Sequence, residues 1–256
     1  MKMRVVVAGG TGWIGRMVTE RLTADGDTPV VLARSAGVDL TTGAGLDAAL
    51  DGADAVIDVS NIITISRSKS VGFFAAATGH LLAAGQRAGV GHHVVLSIVG
   101  VDRVDLGYYF GKRRQEELVL AGPVPASVLR ATQFHEFASQ MLTRSKGPFI
   151  VVPKMPCEPV AGREVAAALV SLARAEPAGL APDFAGPRRE EMTDMVRRVA
   201  RLRGSHRPVV PVRLPGRAGD QVAQGGLLAG EPANRGGVSF AEWLVTGDAK
   251  ATAPGG

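Results

Sequence analysis

The sequence predicts an α/β fold of the Rossmann type, a doubly wound parallel sheet with a small C-terminal substrate lobe. Three observations predict it. A glycine-rich turn, Gly9-Gly10-Thr11-Gly12-Trp13-Ile14-Gly15, lies between an apolar strand pattern and a helical one. Strand and helix patterns alternate through the first half of the chain, which implies a parallel sheet covered on both faces. The chain has 256 residues, 46% of them hydrophobic, enough for one sizeable core or a core plus a small lobe.

The elements follow in order. Residues 3–8, with Val5, Val6 and Val7, read as a buried strand. Residues 12–24 read as a helix, with Trp13, Ile14, Met17, Val18 and Leu22 at helical spacing. Strand patterns follow at 28–33, 53–59, 93–99 and 126–130. A short helix is expected at 46–50, a long one at 71–88, and one with a charged face at 109–120. Only Arg34 to Gly37 separate the second strand from Val38-Asp39-Leu40. Parallel neighbours need a crossover of about a dozen residues or more, so the usual second helix is missing and the sheet edge is abbreviated. The second half is less regular. A short strand is expected at 149–152, helices at 163–174 and within 187–203, and a last helical turn at 240–245. Residues 204–237 are rich in Pro, Gly and Arg. This gives a nucleotide-binding domain over 1–146, a substrate lobe over 147–246 interleaved with the core, and a disordered tail over 247–256.

Composition excludes several classes. A single cysteine, Cys157, rules out an internal disulfide and a cysteine-based zinc site, and no His pair has zinc-site spacing with a third ligand. No metal is expected. No apolar run reaches 18 residues, and the apolar start is too short for a signal peptide. The expected compartment is cytoplasmic, with no membrane partner. The net charge is +5, and the densest basic run is Arg197, Arg198, Arg201, Arg203, His206 and Arg207. No nucleic-acid motif accompanies it, so a solvated helix face is the better reading than a nucleic-acid patch.

The glycine turn carries the first chemistry. Gly9 permits a tight turn, Gly12 lets backbone approach a pyrophosphate, and Gly15 lets the helix pack closely. The helix N-terminus, Thr11 through Ile14, offers free N–H groups and the positive end of the dipole to phosphate. After the second strand, an acidic residue would read the 2′-hydroxyl of NAD. Here Arg34 and Ser35 stand there instead, a clamp for the 2′-phosphate of NADP. NADP is therefore expected over NAD. A second constellation is Ser97, Tyr108 and Lys112. Tyr108 and Lys112 are four apart at a helix start and face one way. An ammonium beside the phenol would lower its pKa toward working pH, so that Tyr108 gives a proton to a carbonyl while Ser97 bonds the same oxygen. Tyr109 is the competing tyrosine.

These residues resemble the short-chain dehydrogenase/reductase superfamily, in its atypical branch similar to NmrA-like and isoflavone-reductase-like proteins. The segments that carry the resemblance are GGTGWIG (9–15), YYFGK (108–112, a Y-x-x-x-K match) and LRATQFHEF (129–137). It covers most of residues 1–175. It implies Tyr108 as acid/base, Ser97 as polariser, and Lys112 also on the nicotinamide-ribose hydroxyls. Gln133 and Phe134 would flank the ring, Asp39 and Leu40 would lie near the adenine, and Val59, Ser60 and Asn61 would run under the ribose. The sequence departs from the branch where Ser60-Asn61-Ile62-Ile63 replaces an Asn-Ala-Gly segment. The implied reaction is hydride transfer between nicotinamide and a small carbonyl, quinone or enone. Some members of the branch bind NADP as redox-sensing regulators without catalysis, which is the alternative. Epimerisation on a nucleotide sugar fits the small second half less well. A small-molecule substrate is expected, and monomer and homo-oligomer both remain open. Among weaker candidates, His135 and Glu136 could border the substrate pocket, Phe73 and Phe74 read as core before pocket wall, and His92 and His93 read as structural.

Overall fold

A computed structural model describes residues 2–246. The first half runs β1 (Arg4–Ala8), α1 (Trp13–Ala24), β2 (Thr28–Val31), a 3-10 turn (Arg34–Ala36), α2 (Leu46–Leu50), β3 (Ala55–Asp58), α3 (Arg67–Ala88), β4 (His92–Ile98), α4 (Gly107–Leu120) and β5 (Ala126–Ala131). The second half runs α5 (Glu136–Arg144), β6 (Ile150–Pro153), β7 (Pro156–Cys157), α6 (Gly162–Arg174), β8 (Gly179–Leu180), β9 (Asp183–Ala185), β10 (Glu190–Glu191), α7 (Met192–Leu202), β11 (Val209–Val212), α8 (Gly216–Ala223), β12 (Ala233–Arg235) and α9 (Phe240–Val245).

The central sheet has the order β2-β1-β3-β4-β5-β9-β12, with β8 also on β5, and its pairs are parallel. Strand alternation sorts the valines of β1 onto two faces. Val5 and Val7 pack with α1 and α6 residues such as Val18, Leu22, Val165 and Leu169. Val6 and Ala8 pack with Leu46, Leu50, Leu81 and Val119 from α2, α3 and α4. Both faces are therefore buried, as a parallel sheet requires. β2 is the edge strand. The 3-10 turn leaves it directly, residues 38–40 form no strand, and α2 leads back to β3, so the missing second helix shortens the sheet on this side.

Helices α3 and α4 lie very close. A Cβ on Gly111 would sit 2.1 Å from Ser70 Oγ, and that hydroxyl donates to the Tyr108 carbonyl at 2.7 Å. Gly111 is thus the residue that lets the helix carrying Tyr108 and Lys112 reach its depth in the fold.

Residues after 147 do not stand apart from the sheet. α6 covers one sheet face against α1, and β8, β9 and β12 extend the sheet beyond β5. The remainder closes a separate apolar cluster in which Met192, Met195, Val196 and Val199 of α7 meet Ile150, Val152, Ala138, Phe240 and Trp243. Helix α5 is not among the elements the sequence predicts, which place no helix between the strand at 126–130 and the one at 149–152. The irregular stretch 204–237 contains β11, α8 and β12. The disordered tail expected at 247–256 lies outside the described residues.

Candidate cofactor and catalytic site

The C-terminal ends of β1, β3, β4 and β5 lie side by side and gather most of the expected residues at one edge of the sheet. At β1 the chain turns at Gly9, whose φ is +79°, a value L side chains rarely adopt. A Cβ there would also lie 2.8 Å from the Ser60 backbone, so the turn and the loop after β3 touch. Gly15 is as constrained. Its Cβ would lie 2.2 Å from the Gly9 carbonyl, which places helix α1 on the turn itself rather than on the strand as expected. Gly12 differs, since a Cβ would meet only the Gly9 carbonyl, at 3.1 Å. It is the N-cap of α1 and has no side chain to close the helix N-terminus. The first N–H groups of α1 have no intrahelical acceptor, so they remain for an anion. Thr11 and Ile14 sit in this turn. Trp13 tilts against Phe134, with ring centroids 5.2 Å apart, and lies on Gly162, where a Cβ would come within 2.2 Å of the indole.

Gly10 and Arg16 escaped the sequence reading. A Cβ on Gly10 would lie 2.8 Å from Val31 at the end of β2. Arg16 Nε donates to the Thr11 carbonyl at 3.1 Å. Together they line a shallow, open depression with Thr11, Thr19, Glu20 and Val31. The signal for Arg16 was present in the sequence as a cation one residue after the last glycine of the turn. Arg34 and Ser35 are exposed in the 3-10 turn just beyond β2. Asp39 accepts from the Thr41 hydroxyl and N–H at 2.7 and 2.8 Å, which with the Arg34 charge holds its carboxyl below the usual range. The Leu40 carbonyl is bonded to the His80 ring at 3.0 Å.

The loop after β3 meets α4. The Tyr108 hydroxyl donates to Asn61 Oδ1 at 2.6 Å, and the Ser60 N–H donates to Asp58 Oδ1 at 2.8 Å. Val59 is buried between them in the chain. Lys112 does not meet Tyr108. Its ammonium is buried and donates to the Leu96 carbonyl at 2.6 Å and to Gln115 Oε1, with Phe74 beneath it at 4.8 Å. Gln115 Nε2 in turn donates to Asp58 Oδ2 at 2.8 Å. Burial pushes the Lys112 pKa down to about 8, opposed by the Asp58 and Glu116 charges. The expected lowering of the Tyr108 pKa is corrected. Burial raises it, Tyr109 adds to the rise, and Lys112 does not act on it. Tyr109 is buried in the apolar cluster around α7.

Ser97 is buried on β4, and its Oγ has no hydrogen-bond partner among the described residues. Ser60 Oγ and Gln133 Oε1 are likewise buried without partners. The register pairs Asp58 with Val95; Ser60 follows two residues later in the loop after β3, and Ser97 two residues later on β4. At these adjacent strand ends a ligand or water could satisfy the three atoms. With the glycine cradle, they fit a dinucleotide.

His135 and Glu136 do not border this edge. His135 is fully buried, bonded to the Val238 carbonyl at 3.0 Å and packed near Phe240 and Trp243. Glu136 accepts from the Trp243 indole at 3.2 Å. They anchor α9. Phe74 is core, edge-on to Tyr108 at 5.8 Å. His92 bonds Ser127 at 2.9 Å, and His93 is buried near Asp58, both structural as expected. In the basic run, Arg197 pairs with Asp194 and Arg198 with Glu190 on a helix face. No group of His, Cys, Asp and Glu among the described residues could hold a metal ion.

No protein-family model matches the chain. It is 32% identical over 144 residues to a (4-alkanoyl-5-oxo-2,5-dihydrofuran-3-yl)methyl phosphate reductase of Streptomyces griseus subsp. griseus, a match covering 51% of this chain and 48% of that enzyme. The chain thus spans about half the length of the curated relative it matches. Among solved structures, a short-chain dehydrogenase/reductase superfamily protein from Agrobacterium tumefaciens with bound NAD superposes with a TM-score of 0.68 at 18% identity, covering 94% of each chain. A dTDP-4-dehydrorhamnose reductase from Bacillus anthracis in complex with NADP gives a TM-score of 0.67 at 14% identity, covering 82% of this chain and 85% of that one. The order of the sheet, the glycine turn at its edge and these superpositions agree: the chain has a Rossmann-type α/β fold, the one these NAD- and NADP-bound proteins share.

Proposed function

We propose that the chain is an NADP-dependent oxidoreductase of the short-chain type, acting on a small carbonyl, quinone or enone. The observation that carries the reading is the turn at Gly9–Gly15, where backbone closeness forbids side chains at 9 and 15 and leaves the face at Gly12 open at a helix N-terminus. NADPH, when bound, supplies the hydride. The neighbours with NAD and NADP and the reductase relative support this reading. The chain's own residues do the rest. Arg34, just beyond β2, and Arg16, which lines the depression, supply positive charge for a 2′-phosphate. Ser35, Asp39 and Leu40 border the adenosine end, and Gln133 and Phe134 the nicotinamide end. Tyr108 holds the proton given to the substrate oxygen, and Ser97 Oγ, lacking a partner, accepts the role of second donor to that oxygen. Titration of the protein with NADPH and NADH by quenching of Trp13 fluorescence tests the cofactor, and NADPH oxidation against ketones, quinones and enones tests the reaction.

One observation favours a second reading, a cofactor-binding redox regulator without turnover. The Lys112 ammonium is committed to Leu96 and Gln115, and the Tyr108 phenol is made less acidic rather than more. Tight NADPH binding without oxidation by any substrate class supports that reading over catalysis.

A further inference from the structure

We propose that the outer face of the β6–β11 pair is a docking surface for an anionic lipid bilayer. The two strands pair in parallel with Ile150 opposite Val209 and Val151 opposite Val210. Their inward side chains, Ile150 and Val152, are fully buried against the second cluster. Their outward ones are not. Val151 is 55% exposed, Val210 37%, and Phe149 at the strand entrance 53%.

The two segments that carry this apolar face hold charge of one sign only. Residues 143–157 contain Arg144, Lys146 and Lys154 and no Asp or Glu. Residues 202–214 contain Arg203, Arg207 and Arg213 and again no Asp or Glu. Arg207 donates to the Ser145 and Phe149 carbonyls at 2.9 and 3.0 Å, which fastens the basic loop beside the apolar tip. Arg213 is paired with Asp220 of α8 at 2.8 Å, while Lys146 and Lys154 make no side-chain hydrogen bond or ion pair among the described residues. The ammonium groups at 146 and 154 are thus free to meet an outside anion.

The chemistry selects the occupant. A second copy of the same face would bring like charges together. A nucleic acid needs stacking platforms or base-edge readers, and one phenylalanine among aliphatic β-branched residues supplies neither. Aliphatic and aromatic side chains ringed by Lys and Arg match the headgroup–acyl boundary of an anionic leaflet. No described helix is long and apolar enough to span a membrane. The expectation of no membrane partner rested on that property, which peripheral docking does not need.

Co-sedimentation of the full chain with phosphatidylcholine vesicles, with and without phosphatidylglycerol, tests the proposal. The protein is expected on the phosphatidylglycerol vesicles alone, and added salt should release it. Each cation near the leaflet contributes about fivefold in affinity, so the Lys146→Glu/Lys154→Glu double variant should bind at least ~20-fold more weakly. Phe149→Ser should weaken binding without changing its salt dependence. An unchanged NADPH titration and circular dichroism spectrum show that these surface variants fold. Absence of phosphatidylglycerol-dependent binding by the unaltered protein overturns the proposal. So does binding that survives the charge reversal, or salt-sensitive binding to duplex DNA in its place.

Discussion

The Tyr108 hydroxyl and the Asn61 carboxamide are joined at 2.6 Å, with the phenol as donor. A phenol has one proton, so the bond to Asn61 and donation to a substrate oxygen exclude each other. Asn61 sits on the loop that touches the glycine turn, and Asp58 ties that loop through Gln115 to Lys112. The phenol, its acceptor and the buried ammonium are therefore tied together through the loop after β3 and helix α4. In the oxidoreductase reading, substrate displaces Asn61 from the phenol.

Tyr108→Phe removes one oxygen and leaves packing nearly unchanged. With a substrate found by NADPH oxidation, turnover should drop by about two to four powers of ten, the scale of general acid–base catalysis. Cofactor affinity should hold. Tyr109→Phe, deep in the second cluster, is the control and should be mild. Full turnover by the Tyr108 variant would reject Tyr108 as the acid.

Lys112 has a structural load as well. Lys112→Met fills the space but leaves the Leu96 carbonyl and Gln115 Oε1 without their donor. The expected loss is about 1–3 kcal/mol of stability, seen as a lower urea midpoint. If Lys112 also reaches the ribose, NADPH affinity falls in the same variant at temperatures where it stays folded. A midpoint equal to that of the unaltered protein would mean that the buried bonds do not hold the helix.

The proposed preference for NADP rests on arginine. A charge-assisted pair with the 2′-phosphate is worth about 1.5–3 kcal/mol, or roughly ten- to hundredfold. Arg34→Ala should lose that factor for NADPH and nothing for NADH. Arg16→Ala should behave in the same direction, given its place on the depression beside Gly10 and Val31. Equal loss of both cofactors in Arg34→Ala would remove it from the 2′-phosphate.

Much of this was legible because the first half obeys local rules. The valines of β1, the glycine spacing and the four-residue gap after β2 each have one physical solution in a parallel sheet. The position of Tyr108 at the start of α4 also followed from spacing. The Lys112 contacts did not, because spacing places two side chains on one face without saying which is drawn inward. That depends on Gln115, Asp58 and the close approach at Gly111, partners far apart in sequence. His135 and Glu136 were misplaced for a related reason. Their burial comes from residues 238–243, a hundred residues later, where the Val238 carbonyl bonds the His135 ring and the Trp243 indole of α9 donates to Glu136. Helix α5 is hard to read from the sequence because it is only nine residues long, so its apolar spacing at Phe137, Ala138, Met141 and Leu142 covers little more than two turns.

Buried histidines should weaken the fold in mild acid. Burial pulls the His135 pKa from 6.5 down to about 4, and burial also lowers those of His92 and His93. The unfolded chain takes up these protons first, so stability is full above pH about 6.5 and falls as the pH drops toward 4. For His135 alone the loss approaches about 3 kcal/mol. Urea midpoints measured from neutral to mildly acid pH should fall, and His135→Gln should flatten part of the slope. An unchanged slope in that variant would show that His135 does not titrate with unfolding.

The central claim is that the Gly9–Gly15 turn holds NADP. The most direct measurement is an NADPH titration of the unaltered protein beside Gly12→Val, read by Trp13 fluorescence, with circular dichroism as the check on folding. A Cβ at Gly12 meets only one carbonyl, at 3.1 Å, so the variant should fold, unlike Gly15→Val, whose Cβ would strike the turn backbone. The account predicts saturable NADPH binding by the unaltered chain and its loss in folded Gly12→Val. Normal NADPH binding by that variant would contradict it.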